Sequence, residues 1–101
     1  GFSIRANEGS WLTLVPGVER KILSKDGKSA TASALYRLAP GTVFEPHDHP
    51  ADEECYIIEG DLQVGEAALK GGDYFFIRRG GRHGAIHTRN GALLFIRGEA
   101  A

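Results

Sequence analysis

The sequence lacks the features of disulfide-stabilised, membrane-spanning and nucleic-acid-binding proteins. Its only cysteine is Cys55, so no disulfide can form within the chain, and a cytoplasmic location is expected. No apolar run approaches the roughly 18 residues that a membrane helix needs. The 12 basic and 13 acidic residues are interleaved and form no basic stripe of the kind that binds nucleic acids. We therefore expect neither a membrane nor a nucleic acid as a partner.

Several common catalytic motifs are also missing. The sequence contains no GxSxG, no phosphate-binding loop, no GxGxxG before a helix and no CxxC. Its aromatic residues are spread over β-rich segments, which is typical of core or interface positions rather than of a base-stacking platform. The chemistries that depend on these motifs are therefore not expected.

Glycine, by contrast, is abundant, with 14 residues. Turn residues recur about every 8 to 12 positions between β-rich runs, as in all-β sandwiches and barrels. Asp26-Gly27 and Asn90-Gly91 suit tight hairpins. Residues 31–38 could be read at helical spacing, but their Thr and Ser and the following Pro40-Gly41 favour a strand. We predict that residues 1–101 form one all-β domain. The predicted strands are residues 10–15, 22–24, 31–38, 55–59, 62–64, 74–77, 84–87 and 92–96.

Two histidines and a glutamate form the first part of a candidate site. His47 and His49 are two residues apart, and side chains at positions i and i+2 of a strand share a face. The short loop of residues 50–52 then returns the chain, so that Glu53 begins the next strand. Two imidazoles and a carboxylate suit Fe, Mn, Co, Ni, Cu or Zn better than Ca or Mg. This pattern indicates a site for one divalent transition-metal ion.

A third imidazole comes from residues 72–87. There Gly80-Gly81 predicts a turn, and His83 is expected to open a further strand. A lone histidine on an apolar strand is more often a surface or core residue than a ligand, and HxH alone is a weak motif. The prediction therefore depends on the strand parity of HxHxxxE together with this later histidine. The predicted metal ligands are His47, His49, Glu53 and His83.

The two stretches resemble the paired motifs of the cupin superfamily, G(x5)HxH(x3–4)E(x6)G and G(x5)PxG(x2)H(x3)N. The resemblance covers residues 41–87, nearly half the chain. It implies a single RmlC-like cupin domain, an antiparallel β-barrel or jelly roll with the metal site inside the barrel. The matching residues are Gly41, His47, His49, Glu53 and Gly60 in the first motif, and Gly72, Gly80 and His83 in the second.

Two residues depart from the second motif. Arg78 replaces its proline, which affects only the expected loop geometry. His87 replaces its asparagine, and counting by twos from His83 through Ala85 places His87 on the inward face. Three roles are open for His87: a fifth ligand, a hydrogen-bonding group of the pocket, or a polar residue near the barrel mouth.

Other residues are expected close to the metal. Cys55 follows Glu53 by two positions and should face inward. Its thiolate would be a soft ligand, but a small buried residue that fills the barrel is the favoured interpretation. Glu54 should point to the other face of the strand. The predicted apolar wall of the pocket consists of Val43, Ile57, Val64, Phe75, Ile77 and Phe95.

The flanks, residues 16–19 and 91–97, are similar to the cupin-like domain of ChrR-type zinc anti-sigma factors. This resemblance implies a sensory or regulatory domain with a protein partner. Resemblance to dioxygenase cupins implies instead a metal-dependent dioxygenase or isomerase acting on a small organic substrate, and a purely structural metal is a third possibility. An anti-sigma factor would also need a zinc-bearing segment that binds the sigma factor, and this sequence contains none. We therefore expect either an excised sensing domain or a free-standing cupin that binds a small molecule.

Apolar residues outside the predicted site indicate an interface. Tyr74 and Phe76 are expected to face away from the metal, and Trp11, Leu12 and Leu14 add apolar surface in an N-terminal strand. Exposed apolar patches of this extent usually mark an interface. We therefore predict a homodimer.

Overall fold

The computed structural model describes residues 1–28, 30–44, 48–82 and 84–99. These ranges contain nine β-strands and no helix, so the prediction of an all-β fold is confirmed. In particular, the described part of the chain has no helix long and apolar enough to span a bilayer. The strands are β1 (Leu12–Val15), β2 (Val18–Asp26), β3 (Thr31–Leu38), β4 (Val43–Phe44), β5 (Glu53–Val64), β6 (Ala67–Lys70), β7 (Tyr74–Ile77), β8 (Ile86–His87) and β9 (Ala92–Glu99).

Strand β5 is the centre of the architecture. The strand order is β1-β2-β3-β9-β5-β8-β4, with β6 and β7 also paired to β5, and the pairings between these strands are antiparallel. Residues 53–60 of β5 pair with β7 and β9. Residues 61–64 pair with β6 and β8. Strand β5 therefore belongs to both halves of the sheet, one that contains β7 and β9 and one that contains β6 and β8. Because the two halves share this strand, the sheet curls around an interior.

The chain bends where β5 passes from one half of the sheet to the other. Gly60 has a φ of 92°, in the left-handed region that favours glycine, and a side chain there would overlap the carbonyl oxygen of Gly91. The Asp61 carboxylate accepts backbone hydrogen bonds from Arg89 at 2.7 Å and from Asn90 at 3.0 Å, and these bonds lower the pKa of Asp61. The sequence predicts a turn between two strands here. The structure instead has one continuous, bent strand.

Alternation along β5 separates the interior from the outside. Cys55 and Ile57 are fully buried, whereas Glu54, Tyr56 and Ile58 are exposed. Successive side chains of a strand point to opposite faces, so the apolar core lies on the Cys55 side of the sheet. The core consists of Val18, Leu38, Cys55, Ile57, Leu62, Ile86, Ala92 and Leu94.

The strand bounds agree with the sequence in some places and not in others. The bounds of β3 and β7 are those predicted, and β9 extends three residues beyond its predicted end. Strand β6 is missing from the prediction because its sequence, Ala-Ala-Leu-Lys, has little β-propensity. It forms because it pairs with residues 61–64 of β5.

Candidate metal centre

A cavity of about 230 Å³ lies between the two halves of the sheet. Apart from tyrosine, three of the described residues that line it have acidic side chains: the carboxyl groups of Glu53 and Glu99 and the thiol of Cys55. No lysine or arginine is among the described lining residues. The rest of the wall consists of Leu14, Tyr36, Leu38, Phe44, Leu62, Phe75, Ile86, Leu94 and Ile96.

His49 and Glu53 lie side by side at this site. The His49 side chain is only 5% exposed, and its Nδ1 atom lies 3.7 Å from Oε2 of Glu53. Glu53 is the first residue of β5, so the loop of residues 50–52 reverses the chain between the two side chains, as the sequence predicts. The loop therefore brings one imidazole and one carboxylate together where Glu53 lines the cavity.

The loop that follows β7 runs alongside His49. The backbone N–H of His49 donates to the carbonyl of Gly81 at 3.2 Å, and the N–H of Gly80 donates to the carbonyl of His49 at 2.8 Å. Next to them, Asp48 and Arg82 form an isolated antiparallel β-bridge. The two stretches of sequence that carry the predicted ligands are thus bonded to each other through their backbones.

Two of the four predicted ligands, His47 and His83, lie outside the described residues. Within the described ranges, no group of three or more His, Cys, Asp or Glu side chains is arranged to hold a metal ion. The described residues contribute His49 and Glu53 to the candidate site, and the complete four-residue site stays a prediction.

Cys55 is fully buried and lines the cavity two residues after Glu53. Burial, with a smaller contribution from the charge of Glu53, raises the pKa of the thiol to about 12. A protonated, buried thiol behaves as a small apolar group, which favours the interpretation of Cys55 as a residue that fills the barrel. Of the predicted wall, Ile57 is fully buried in the core, and Phe75 packs against the core and lines the cavity.

His87 faces outward, contrary to the prediction that it faces the pocket. It is exposed, whereas Ile86 before it and Thr88 after it are buried. Counting by twos along the chain requires an unbroken strand, and β8 begins only at Ile86. His87 pairs with Val43, which is 59% exposed, so Val43 is not part of the cavity wall either.

Other differences from the predicted wall come from strands β3 and β9. Phe95 pairs with Tyr56, which is exposed on the outer face, so Phe95 does not line the cavity. Tyr36 and Glu99 do line it, although the sequence did not identify them. Leu38, two residues further along β3, also lines the cavity, and strand alternation from Leu38 could have placed Tyr36 on the same face. Glu99 lies beyond the predicted end of its strand, where no such signal exists.

The architecture is that of an all-β cupin barrel, and solved cupin structures match it over most of the chain. An acetylacetone dioxygenase from Acinetobacter johnsonii matches 97% of this chain and 72% of its own, with a TM-score of 0.80 and 16% identity. KdgF from Halomonas sp. matches 97% of this chain and 93% of its own, with a TM-score of 0.81 and 25% identity. The complex of Rhodobacter sphaeroides SigE with the anti-sigma ChrR matches 94% of this chain and 51% of the matched chain, with a TM-score of 0.77 and 18% identity.

Sequence comparison identifies the family. The family model of the ChrR cupin-like domain matches residues 1–100. The chain therefore belongs to the ChrR cupin-like domain family, and its predicted membership of the cupin superfamily is confirmed. No curated protein matches the chain in sequence.

Proposed function

We propose that residues 1–101 form one metal-binding cupin domain, which holds a divalent transition-metal ion on His47, His49, Glu53 and His83. The observation that carries this proposal is the buried His49 side chain beside Glu53, which lines an apolar cavity. Imidazole nitrogen and carboxylate oxygen are donors that Zn, Fe, Mn, Ni, Co and Cu accept in proteins. When bound, such an ion supplies a Lewis acid or a redox centre.

The bridge between Asp48 and Arg82 supports the inclusion of the other two histidines. Asp48 directly follows His47 in the sequence, and Arg82 directly precedes His83. Each of these histidines is therefore one residue away, along the chain, from a bridge next to His49. We therefore propose that the three histidines and Glu53, which come from the two stretches, bind one ion between them.

The cavity favours a small, apolar and uncharged ligand. Its volume of about 230 Å³ is larger than the roughly 150 Å³ of an engineered cavity that takes up benzene, and smaller than the roughly 300 Å³ at which drug-sized sites begin. The described lining contains two carboxylates, Glu53 and Glu99, and no cationic side chain, so an organic anion would find no opposite charge there other than the metal. A molecule of about one ring or a short branched chain fits these limits.

A sensory or regulatory role is the first form of the proposal. Membership of the ChrR cupin-like domain family supports it, because a ChrR anti-sigma protein in complex with SigE has the same fold. In this form a small molecule at the cavity changes the binding of a protein partner in the cytoplasm. The second form is a metal-dependent dioxygenase or isomerase, which the similar fold of acetylacetone dioxygenase favours. Oxygen consumption or substrate turnover by the iron-loaded protein would support the second form over the first.

A homodimer is also part of the proposal. Tyr56, Ile58, Tyr74 and Phe76 are exposed together on the outer face of β5 and β7, and Leu12 is exposed on β1. Aromatic and aliphatic side chains of this kind are enriched in interfaces. Light scattering at tens of micromolar protein should give twice the mass of the chain, and a monomeric mass would contradict the dimer.

Metal uptake by two histidine variants tests the proposed site. Protein purified without added metal is loaded with Zn²⁺, dialysed and analysed for metal content. His49→Ala should lose the ion, because it removes a buried imidazole beside Glu53. His87→Ala is the matched control and should retain the wild-type content, because His87 is exposed on the outer face. Equal metal contents in the two variants, or a wild-type protein that takes up no metal, would contradict the proposal.

A further inference from the structure

Gly98 is a buried glycine in β9 that lies against the side chain of Glu53. A Cβ atom at this position would lie 3.3 Å from Cγ of Glu53, and 3.5 Å from both its Cβ and its Oε1. All of the nearest atoms belong to this one glutamate. The Glu53 side chain therefore lies directly against the position that a Cβ atom would take.

The backbone at this position does not require glycine. Gly98 is not among the residues with positive φ, in contrast to Gly60, whose φ of 92° does favour glycine. A glycine inside a strand weakens the strand and often marks a close approach of another group. Here the approaching group is the Glu53 side chain, so the reason for glycine is steric and lies at the candidate site.

We infer that Gly98 is a positioning residue for the Glu53 carboxylate. This inference rests on the proposed metal site. A methyl group at residue 98 would crowd Cγ of Glu53 at 3.3 Å, and the Glu53 side chain that carries the carboxylate would have to move away from β9 by a few tenths of an ångström. A shift of this size takes up much of the roughly 0.5 Å within which a site has to hold its groups, and it alters the distance and angle at which the carboxylate faces His49. The absence of a side chain at residue 98 thus sets the position of the Glu53 carboxylate.

The first test compares Gly98→Ala with Gly71→Ala. Gly71 is the matched control because its φ is also outside the left-handed region, and its added Cβ would be at least as crowded. It would lie 3.1 Å from the carbonyl oxygen of Ile58 and 3.3 Å from Cα of Glu59, and both residues are outside the cavity lining. Chelator competition with Zn²⁺ should give an affinity about 10-fold weaker for Gly98→Ala, as for other residues that orient a ligand. Gly71→Ala should bind like the wild type. The visible spectrum of the Co²⁺ form should change only in Gly98→Ala.

The second test measures the contact itself in the metal-free protein. Thermal unfolding is compared for the wild type, Gly98→Ala, Glu53→Ala and the double variant. If the added methyl group meets Glu53, Gly98→Ala should be tolerated better in the Glu53→Ala background, by about 4 °C or more in Tm. If Gly98→Ala fails to fold but the double variant folds, the same contact is established.

The outcomes separate the inference from the proposed function. A wild-type protein that binds no metal would overturn the proposed site, and the thermal cycle would still decide whether Gly98 sets the position of Glu53. A wild-type protein that binds metal, together with a Gly98→Ala affinity equal to that of Gly71→Ala, would overturn the inference alone. Additive Tm changes, or a double variant that folds no better than Gly98→Ala, would also overturn it.

Discussion

Two adjacent glutamates at the start of β5 have opposite environments. Glu53 lines the cavity, and its Oε2 atom lies 3.7 Å from Nδ1 of His49. Glu54 is exposed on the outer face, where it accepts a 2.9 Å hydrogen bond from the hydroxyl of Tyr74. One step along a strand reverses the direction of a side chain, so the same residue type serves a candidate metal site in one case and the surface in the other.

The same comparison holds for the apolar residues that follow. Cys55 and Ile57 are fully buried inside the barrel, whereas Tyr56 and Ile58 are exposed outside it. Both faces of β5 therefore carry apolar side chains, but only the inner one is covered by other strands of the described chain. The inner face is suited to a cavity and its ligand, and the outer face is suited to another protein surface.

The largest expected effect separates the two glutamates by metal affinity. Glu53→Gln should weaken Zn²⁺ binding by at least about 100-fold, because at the proposed site it replaces a charged ligand of the ion. This loss exceeds the usual effect of a residue that only orients a ligand. Glu54→Gln should leave the affinity within about twofold, since Glu54 faces away from the cavity. Chelator competition measures both variants.

Equal losses of affinity in the two glutamate variants would break this comparison. Such a result would mean that the ion binds outside the barrel or that both variants disturb the fold. Thermal unfolding of the metal-free variants is the control, because Glu53→Gln should leave the protein folded.

The second expected effect separates the two isoleucines by stability. Ile57→Ala should reduce the free energy of unfolding by about 3 kcal/mol, because it leaves a cavity at a fully buried position. Ile58→Ala should cost below about 1 kcal/mol, since its side chain is already partly in solvent. Urea unfolding of the metal-free protein gives both values, at a concentration low enough for light scattering to give the mass of the monomer. A cost for Ile58→Ala as large as that for Ile57→Ala would contradict the assignment of the two faces.

The residues that sequence reasoning placed correctly lie where a strand is continuous or a loop is short. Glu53 begins its strand as predicted, because only residues 50–52 separate it from His49. The sequence misplaces His87 because strand alternation does not hold across residues 84 and 85, which are outside any strand. The bend at Gly60 looks like a turn in the sequence, since Gly-Asp is a common turn dipeptide, and only the pairing of β5 on both sides shows one strand.

The roles of Gly98 and Glu99 depend on tertiary contacts. Both lie beyond the predicted end of the last strand, and their closeness to Glu53 and to the cavity follows from the pairing of β9 with β3 and β5. Neither residue is part of a motif. Their positions could therefore not be read from spacing along the chain.

A third expected effect concerns the accessibility of Cys55 on the inner face. Its sulfur is fully buried, so a thiol reagent should react at least about 100-fold more slowly with the native protein than with the urea-unfolded protein, because reaction requires opening of the barrel. Bound Zn²⁺ should slow the reaction further by stabilising the closed form. Labelling at equal rates in native and unfolded protein would contradict the inward placement of Cys55.

The smallest expected effect is on the outer face, at Tyr74. The hydrogen bond to Glu54, together with partial desolvation and the nearby negative charge, raises the pKa of Tyr74 above its ordinary value of 10.0. The stability contributed by this bond is therefore present below the ordinary pKa and is lost as the pH rises through the raised one. In an absorbance titration, Glu54→Gln should move one tyrosine transition to lower pH, and Tyr74→Phe should remove that transition. A titration curve unchanged by Glu54→Gln would show that the bond does not form in solution.

The most direct test of the central claim is a crystal structure of the Zn²⁺-loaded protein, with the ion located by anomalous scattering. We expect one ion inside the barrel, in contact with His47, His49, Glu53 and His83, and no ion at the exposed His87. A structure with His83 on the exterior of the barrel, or with the ion bound away from Glu53, would contradict the account.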